Sequence, residues 1–198
     1  VATFDEVLAA SPVVAASPWP KLQRLWDEVQ ALVAVPGDLA EFGVWRGGSA
    51  RLLAHLALAQ GRTLHLYDTF AGIPASAVES IDAHQAGDFG DTSLEAVQAL
   101  LVGHAVVYHV GEFDPAMVPA VPLAAVHIDA DTYRSYWLAL PRFWGLLSPG
   151  GVLVLDDPGS PGCRGATEAT AEFLATCHPQ PVRATVDPVH SGMVLQHP

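Results

Sequence analysis

The chain reads as an α/β protein built on a doubly wound, mostly parallel sheet that ends in a C-terminal antiparallel hairpin. Three features predict this. Short apolar runs alternate with stretches of helical period, the apolar runs are continuous enough to be covered on both faces, and two β-type runs at the end flank a turn at Ser191-Gly192.

Taken in order, strands are expected over 39–43, 63–67, 105–110, 124–128 and 152–155, where β-branched and other apolar residues cluster between Gly, Pro and Asp. Helices are expected over 50–58, 93–101, 133–147 and 165–176, and the closing hairpin over 182–186 and 193–196. Ahead of the first strand stands a Pro-rich linker, 11–20, and then a helical run, 21–33, that Pro36-Gly37 ends. Leu22, Leu25, Trp26, Val29, Leu32 and Val33 recur there at helical spacing, so one face must be covered by the sheet or by a second subunit. A homo-oligomer is one of those two outcomes. Residues 36–198 form one domain in this reading, and 1–35 a helical segment belonging to it or to an oligomer contact.

The bulk numbers narrow the function. With 198 residues and 51% hydrophobic content there is material for one well-buried core. A formal net charge of −12 disfavours a nucleic-acid backbone or an anionic membrane surface as partner, since both would be repelled. No apolar run approaches the roughly 20 residues that span a bilayer. The first residues carry Asp5 and Glu6 and lack the basic start of a signal peptide. Two cysteines, Cys163 and Cys177, without a secretory signature predict free thiols and a cytoplasmic setting. The nine histidines lack ligand spacing such as H-x-x-x-H, and each reads as an ordinary surface or core residue.

In a doubly wound sheet, ligands bind beyond the carboxyl ends of the strands. After the first strand comes Gly43-Val-Trp-Arg-Gly-Gly-Ser49, whose small residues permit a tight turn and a close approach to a ligand. After the second comes Asp68, placed to accept hydrogen bonds from ribose hydroxyls. Together they predict a Rossmann-like site for a nucleoside-bearing ligand. The turn is not G-x-G-x-x-G, which disfavours a dinucleotide pyrophosphate and hence an NAD-dependent oxidoreductase. Two later strand ends carry carboxylates, in Ile128-Asp-Ala-Asp-Thr-Tyr133 and Leu155-Asp-Asp-Pro158. If those strands are neighbours, Asp129, Asp156 and Asp157 converge, and like charges so close call for a hard cation such as Mg²⁺. The structural alternative makes Asp156-Asp157 a strand-ending turn and Asp131 the N-cap of the next helix.

These residues, together with Tyr67-Asp-Thr-Phe-Ala-Gly-Ile-Pro74, Leu147-Ser-Pro-Gly-Gly151 and Pro161-Gly-Cys-Arg164, resemble the macrocin O-methyltransferase family, in order over roughly 36–173. The resemblance implies a Rossmann-like class I methyltransferase. It would move a methyl group from S-adenosylmethionine to a hydroxyl, commonly on a sugar of a natural product, with Mg²⁺. It further implies Asp129, Asp156 and Asp157 as metal ligands and Asp131 as general base. Glu41, Gly43, Trp45, Gly47, Ser49, Asp68, Gly111, Phe113 and Asp129 would be the cofactor contacts. Pro158 departs from relatives that carry an aromatic residue there. A methyltransferase-like binding subunit without catalysis is the competing reading; intact carboxylates argue against it.

Overall fold

The structure is a computed structural model that describes residues 3–10 and 17–198. Positions 11–16 of the expected linker lie outside the described residues. The order of elements is α1 (Phe4–Ala9), α2 (Trp19–Gln30), β1 (Asp38–Phe42), α3 (Gly48–Gln60), β2 (Leu64–Asp68), α4 (Leu94–Leu100) and β3 (Val106–Val110). The second half runs β4 (Leu123–Ile128), α5 (Tyr133–Trp144), β5 (Leu147–Leu155), α6 (Arg164–Thr176), β6 (Arg183–Val186) and β7 (Met193–Gln196).

All seven strands form one sheet, in the order β3-β2-β1-β4-β5-β7-β6. The first five are parallel, and β7 runs antiparallel to both β5 and β6. The chain builds outward from β1 through β2 to β3, then returns to place β4 on the other side of β1. The carboxyl ends of β1 and β4 are therefore the switch point where a ligand crevice opens.

Strand parity sorts the core into two layers. Leu39, Leu64, Leu66, Ala125, Val152 and Val154 pack with residues of α1, α2 and α3. Ala40, Phe42, Val126, Ile128, Leu153 and Leu155 pack with α5 and α6 on the other face. The same alternation carries past the strand ends, where it decides which way each aspartate points.

Most element ends fall within three residues of expectation, as where α2 closes at Gln30 rather than 33, and the differences at three elements have a local physical cause. Helix α1 went unanticipated because it is short, yet Thr3-x-x-Glu6 is a capping box: Glu6 Oε2 accepts from Thr3 N at 2.8 Å and Thr3 Oγ1 from Glu6 N at 3.4 Å. Helix α5 stops at Trp144 rather than 147, and β5 starts at Leu147 rather than 152. Leu146 and Leu147 continue the helical apolar spacing, but Leu147 pairs with Leu123 across an irregular β4–β5 register.

Helix α2 is bound into the domain. Leu22, Leu25, Trp26, Val29 and Leu32 are buried in the layer shared with α3, whereas Val33, expected on the same face, lies past the helix end and is exposed. The charged side chains of α2 reach the C-terminal strands: Arg24 Nη1 lies 3.1 Å from Asp187 Oδ2, and Glu28 takes a two-pronged contact from Arg183. No helix among the described residues is long and apolar enough to cross a membrane.

The α2–β1 connection hangs on Arg62. Its Nη2 donates to the carbonyls of Leu32 and Val35, both at 2.6 Å, and its Nη1 to that of Gly37. Replacing Arg62 with Met strands three acceptors, and the expected loss of unfolding free energy is about 2–3 kcal/mol in urea denaturation. In the β6–β7 turn, amides of His190 and Val189 donate to Asp187 and hold its carboxyl down at about 2. A depressed acid stabilises the fold above its ordinary value of 3.8 and ceases to do so as pH falls through about 2. The protection of the Val189 and His190 amides, measured as their hydrogen exchange relative to the intrinsic rate at each pH, should therefore fall as pH is lowered across that window.

Candidate active site

Phe42 delivers the chain to the switch point, where crowding dictates the conformation of the next residue. Gly43 has φ +88°, and a Cβ there would sit 1.9 Å from the Asp129 carbonyl oxygen, so no side chain fits. The neighbouring Asp129 N–H donates to Phe42 O at 2.9 Å, locking the β1 and β4 ends together. Asp68 then organises the turn. Its Oδ2 accepts from Val44 N at 2.6 Å and Trp45 N at 2.9 Å, and its Oδ1 from Phe70 N at 2.7 Å. Three of the carboxylate's roughly four acceptor sites are thus filled by backbone, leaving one on Oδ1 for a ligand. Gly47, left-handed at φ +83°, opens α3 without a side-chain cap, so the first N–H groups of that helix remain available beside the pocket.

The pocket spans about 1000 Å³ counted to its open mouth. Gly43, Trp45, Ser49, Asp68, Gly111, Phe113, Asp129 and Asp131 all line it. Glu41 and Gly47 stand behind its wall instead. Glu41 is wholly buried, with Oε1 2.8 Å from His127 Nδ1 and Oε2 without a hydrogen-bond partner. The loop between β2 and α4 supplies Gly72, Ile73, Pro74, Ala77 and Phe89. Helix α5 adds Arg134, Ser135 and Leu138.

Of the four aspartates, Asp129 and Asp131 line the pocket, and Asp156 and Asp157 lie behind them at the end of β5. Parity sends Asp156 toward α2 and Asp157 toward α5, so the adjacent pair divides between two faces. Asp129, Asp131 and Asp157 offer oxygens within 4.8 Å of one another, and Asp129 also groups in that way with Asp156 and His127. Asp129 is the shared vertex. Lys21, the chain's single lysine, reaches from α2 to Asp156, with Nζ 2.7 Å from Oδ2 and 2.8 Å from the carbonyl oxygen. The Tyr136 hydroxyl lies 2.9 Å from Asp157 Oδ2, and the Asp131 N–H donates to that same oxygen at 3.0 Å. Burial, then repulsion from neighbouring carboxylates, raises the acids of Asp129, Asp131 and Asp157 above the usual range.

Asp131 is not the helix cap. Thr132 holds that position without a side-chain bond, and Asp82 of the β2–α4 loop accepts from Tyr133 N at 2.9 Å in its place. Asp131 adopts φ +60°, a conformation costly for a residue with a side chain and concentrated at functional sites. Its carboxylate faces His84 and Cys163. Lys21, His127, His84, Cys163 and Tyr136 escaped the sequence reading. Only His127 left a local signal there, two residues before Asp129 on the same strand face.

The sheet order with an antiparallel β7, the glycine turn at β1 and a pocket at the β1–β4 switch define a class I methyltransferase fold. The chain matches the macrocin-O-methyltransferase (TylF) family over residues 8–178, and it belongs to that family. It is 31% identical over 192 residues to the 8-demethyl-8-(2,3-dimethoxy-α-L-rhamnosyl)-tetracenomycin-C 4′-O-methyltransferase of Streptomyces olivaceus, covering 82% of this chain and 73% of that one. Against the mycinamicin III 3″-O-methyltransferase of Micromonospora griseorubida the identity is 34% over 158 residues, 70% of this chain and 61% of the relative. With the demethyldecarbamoylnovobiocin O-methyltransferase of Streptomyces niveus the identity is 30%, over 68% of this chain and 58% of that one. The chain thus spans under two thirds of the last two. Among solved structures, the O-methyltransferase NovP superposes with a TM-score of 0.76 at 25% identity, covering 89% of this chain and 79% of that one. The calicheamicin methyltransferase CalS11 superposes at 0.71 and 20% identity, over 96% and 88% of the two chains, a likeness of fold.

Because Asp68 holds the turn through two N–H groups on one oxygen, Asp68→Asn must either present an amide to those donors or turn its carbonyl and lose the others. Affinity for S-adenosylmethionine, read by calorimetry, should fall roughly 10- to 100-fold, the worth of about 1.5–3 kcal/mol for hydrogen bonds to a charged group.

Proposed function

We infer that this chain transfers a methyl group from S-adenosylmethionine to a hydroxyl of a sugar or another natural-product intermediate, with a divalent ion at its aspartate cluster. The main support is a juxtaposition: a pocket at the glycine turn beside Asp68, and a gathering of carboxylates at the ends of β4 and β5, two of which, Asp129 and Asp131, line that pocket. By their names the three relatives are O-methyltransferases of a rhamnosyl-tetracenomycin, of mycinamicin III and of demethyldecarbamoylnovobiocin, which supports the acceptor class.

The residues fit both groups. For the cofactor, the uncapped start of α3, the remaining acceptor site on Asp68 and the space above Gly43 match a nucleoside with a charged amino-acid tail. For the ion, the resemblance implies Asp129, Asp156 and Asp157 as holders; here Asp157 joins Asp129 in one set with Asp131, and Asp156 joins it in another with His127, so the two meet through Asp129 rather than as one triad, and like charges only partly offset by Lys21 suit a hard cation. S-adenosylmethionine brings a methyl group on a sulfonium, already a good leaving group. Bound Mg²⁺ would lower the pKa of a hydroxyl placed against it.

The chain's own residues supply the rest. Asp131 removes the hydroxyl proton, and burial followed by the neighbouring Asp157 carboxylate raises its acid above the usual range. The left-handed backbone and the N–H bond to Asp157 fix where that carboxylate points. Ile73, Pro74, Ala77, Phe89 and Leu138 present apolar surface that excludes water from the reacting atoms. Arg134 and Ser135 stand on the same wall as hydrogen-bond donors for an acceptor's polar groups.

The decisive variant is Asp131→Asn, which keeps shape and tolerates the left-handed backbone but abolishes basicity. Turnover should drop by a factor of about 10² to 10⁴, the usual worth of a positioned general base, with S-adenosylmethionine affinity unchanged. Near-parental turnover at saturating cofactor and Mg²⁺ would assign proton removal elsewhere.

A further inference from the structure

Beside the all-oxygen cluster lies a second constellation of different chemistry. His84 Nε2 is 3.5 Å from Asp131 Oδ1 and 3.8 Å from Cys163 Sγ, and Cys163 Sγ is 3.7 Å from the same Asp131 oxygen. The imidazole–carboxylate separation is too long for a good hydrogen bond, and the two contacts to sulfur are at most weak ones. All three are close to the edges of a tetrahedron around zinc, roughly 3.4–3.6 Å when built from the usual Zn–N, Zn–O and Zn–S bonds. The three ligand atoms form a preassembled triangular face, drawn from the β2–α4 loop, the turn after β4 and the start of α6.

The shell behind it is also in place. His84 Nδ1 lies 3.5 Å from Asp88 Oδ2, so the imidazole would present Nε2 forward while its other nitrogen is steered by a carboxylate, the recurrent arrangement behind metal-bound histidines. Asp131 is oriented by its own N–H bond to Asp157, and Cys163 is buried. Two carboxylates nearby favour a cation over an anion at this spot.

We propose that His84, Asp131 and Cys163 form a binding site for a soft divalent cation of the zinc class, distinct from the hard-ion site, with its fourth position open. On binding, the Cys163 thiol loses its proton to solvent and a metal–thiolate bond forms; no electron is transferred. A mixed N, O, S donor set selects zinc or cobalt over Mg²⁺, because thiolate is a poor ligand for a hard ion. The bound ion ties the loop carrying His84 to α6. It also engages Asp131, so, on the reading of Asp131 as the base, zinc occupancy and methyl transfer exclude each other and zinc inhibits turnover.

The test is optical and does not depend on that reading. Co²⁺ is titrated into the full chain in excess Mg²⁺, which occupies the oxygen cluster, and thiolate-to-cobalt charge-transfer absorption is recorded. One equivalent of Co²⁺ should develop the band, and added Zn²⁺ should abolish it. Cys163→Ser should remove the band, Cys177→Ser should leave it intact, and Asp88→Asn should weaken Co²⁺ binding about 10- to 100-fold. His84→Ala, on a surface loop, gives a second probe should Cys163→Ser fold poorly, and it should lose the band as well. Cobalt binding without a thiolate band, or a band that survives Cys163→Ser or His84→Ala, overturns the proposal. Zinc inhibition absent despite a confirmed band would instead count against Asp131 as the base.

Discussion

Four carboxylates crowded at the ends of two adjacent strands repel one another, and much of the surrounding architecture serves to offset that repulsion. Asp156 is met by Lys21 from α2, and Asp157 by the Tyr136 hydroxyl of α5 and by the Asp131 N–H. Each offset comes from a different element, so the aspartates tie both helical layers to the sheet edge. Burial first, and then the repulsion these contacts leave uncompensated, raises the acids of Asp129, Asp131 and Asp157. Such a cluster is stable only if protons or a cation share it.

That constraint explains the position of the N-terminal helix. Burying Leu22, Leu25, Trp26 and Val29 against the core would suffice to dock α2. Lys21 adds a charge at the heart of the site, delivered along the same helix that Arg24 and Glu28 fasten to the hairpin. On the opposite side, the β2–α4 loop enters the site through Asp82 on the α5 N-terminus and His84 beside Asp131. Peripheral segments therefore complete the machinery that the strand ends begin.

The sheet was legible because its strands are apolar runs with clear stops, and the glycine turn because only glycine tolerates the approach of Gly43 to the Asp129 carbonyl. The aspartates were legible as chemistry, being too polar for ends of buried strands. What the sequence could not convey was direction. Nothing local says that Asp156 and Asp157 part to opposite faces; that depends on the register of β5 in the sheet. Nor does sequence place Lys21 at a site 135 residues further along the chain, or bring His84 to Cys163 across 79. Asp131 shows the converse: its spacing before α5 suggested a cap, and only the left-handed backbone reveals that the side chain is turned to the pocket.

If these carboxylates work through a divalent cation to methylate a hydroxyl, both the product and its metal dependence are open to direct measurement. Sugar-bearing natural-product acceptors are incubated with the chain and S-adenosylmethionine, in Mg²⁺ or in excess chelator, and followed by intact-mass analysis. The expected result is a mass gain of one methylene on an acceptor hydroxyl that emerges with Mg²⁺ and vanishes with chelator. Methylation that proceeds equally well in chelator, or that lands on nitrogen or carbon, would contradict a metal-assisted O-methyl transfer.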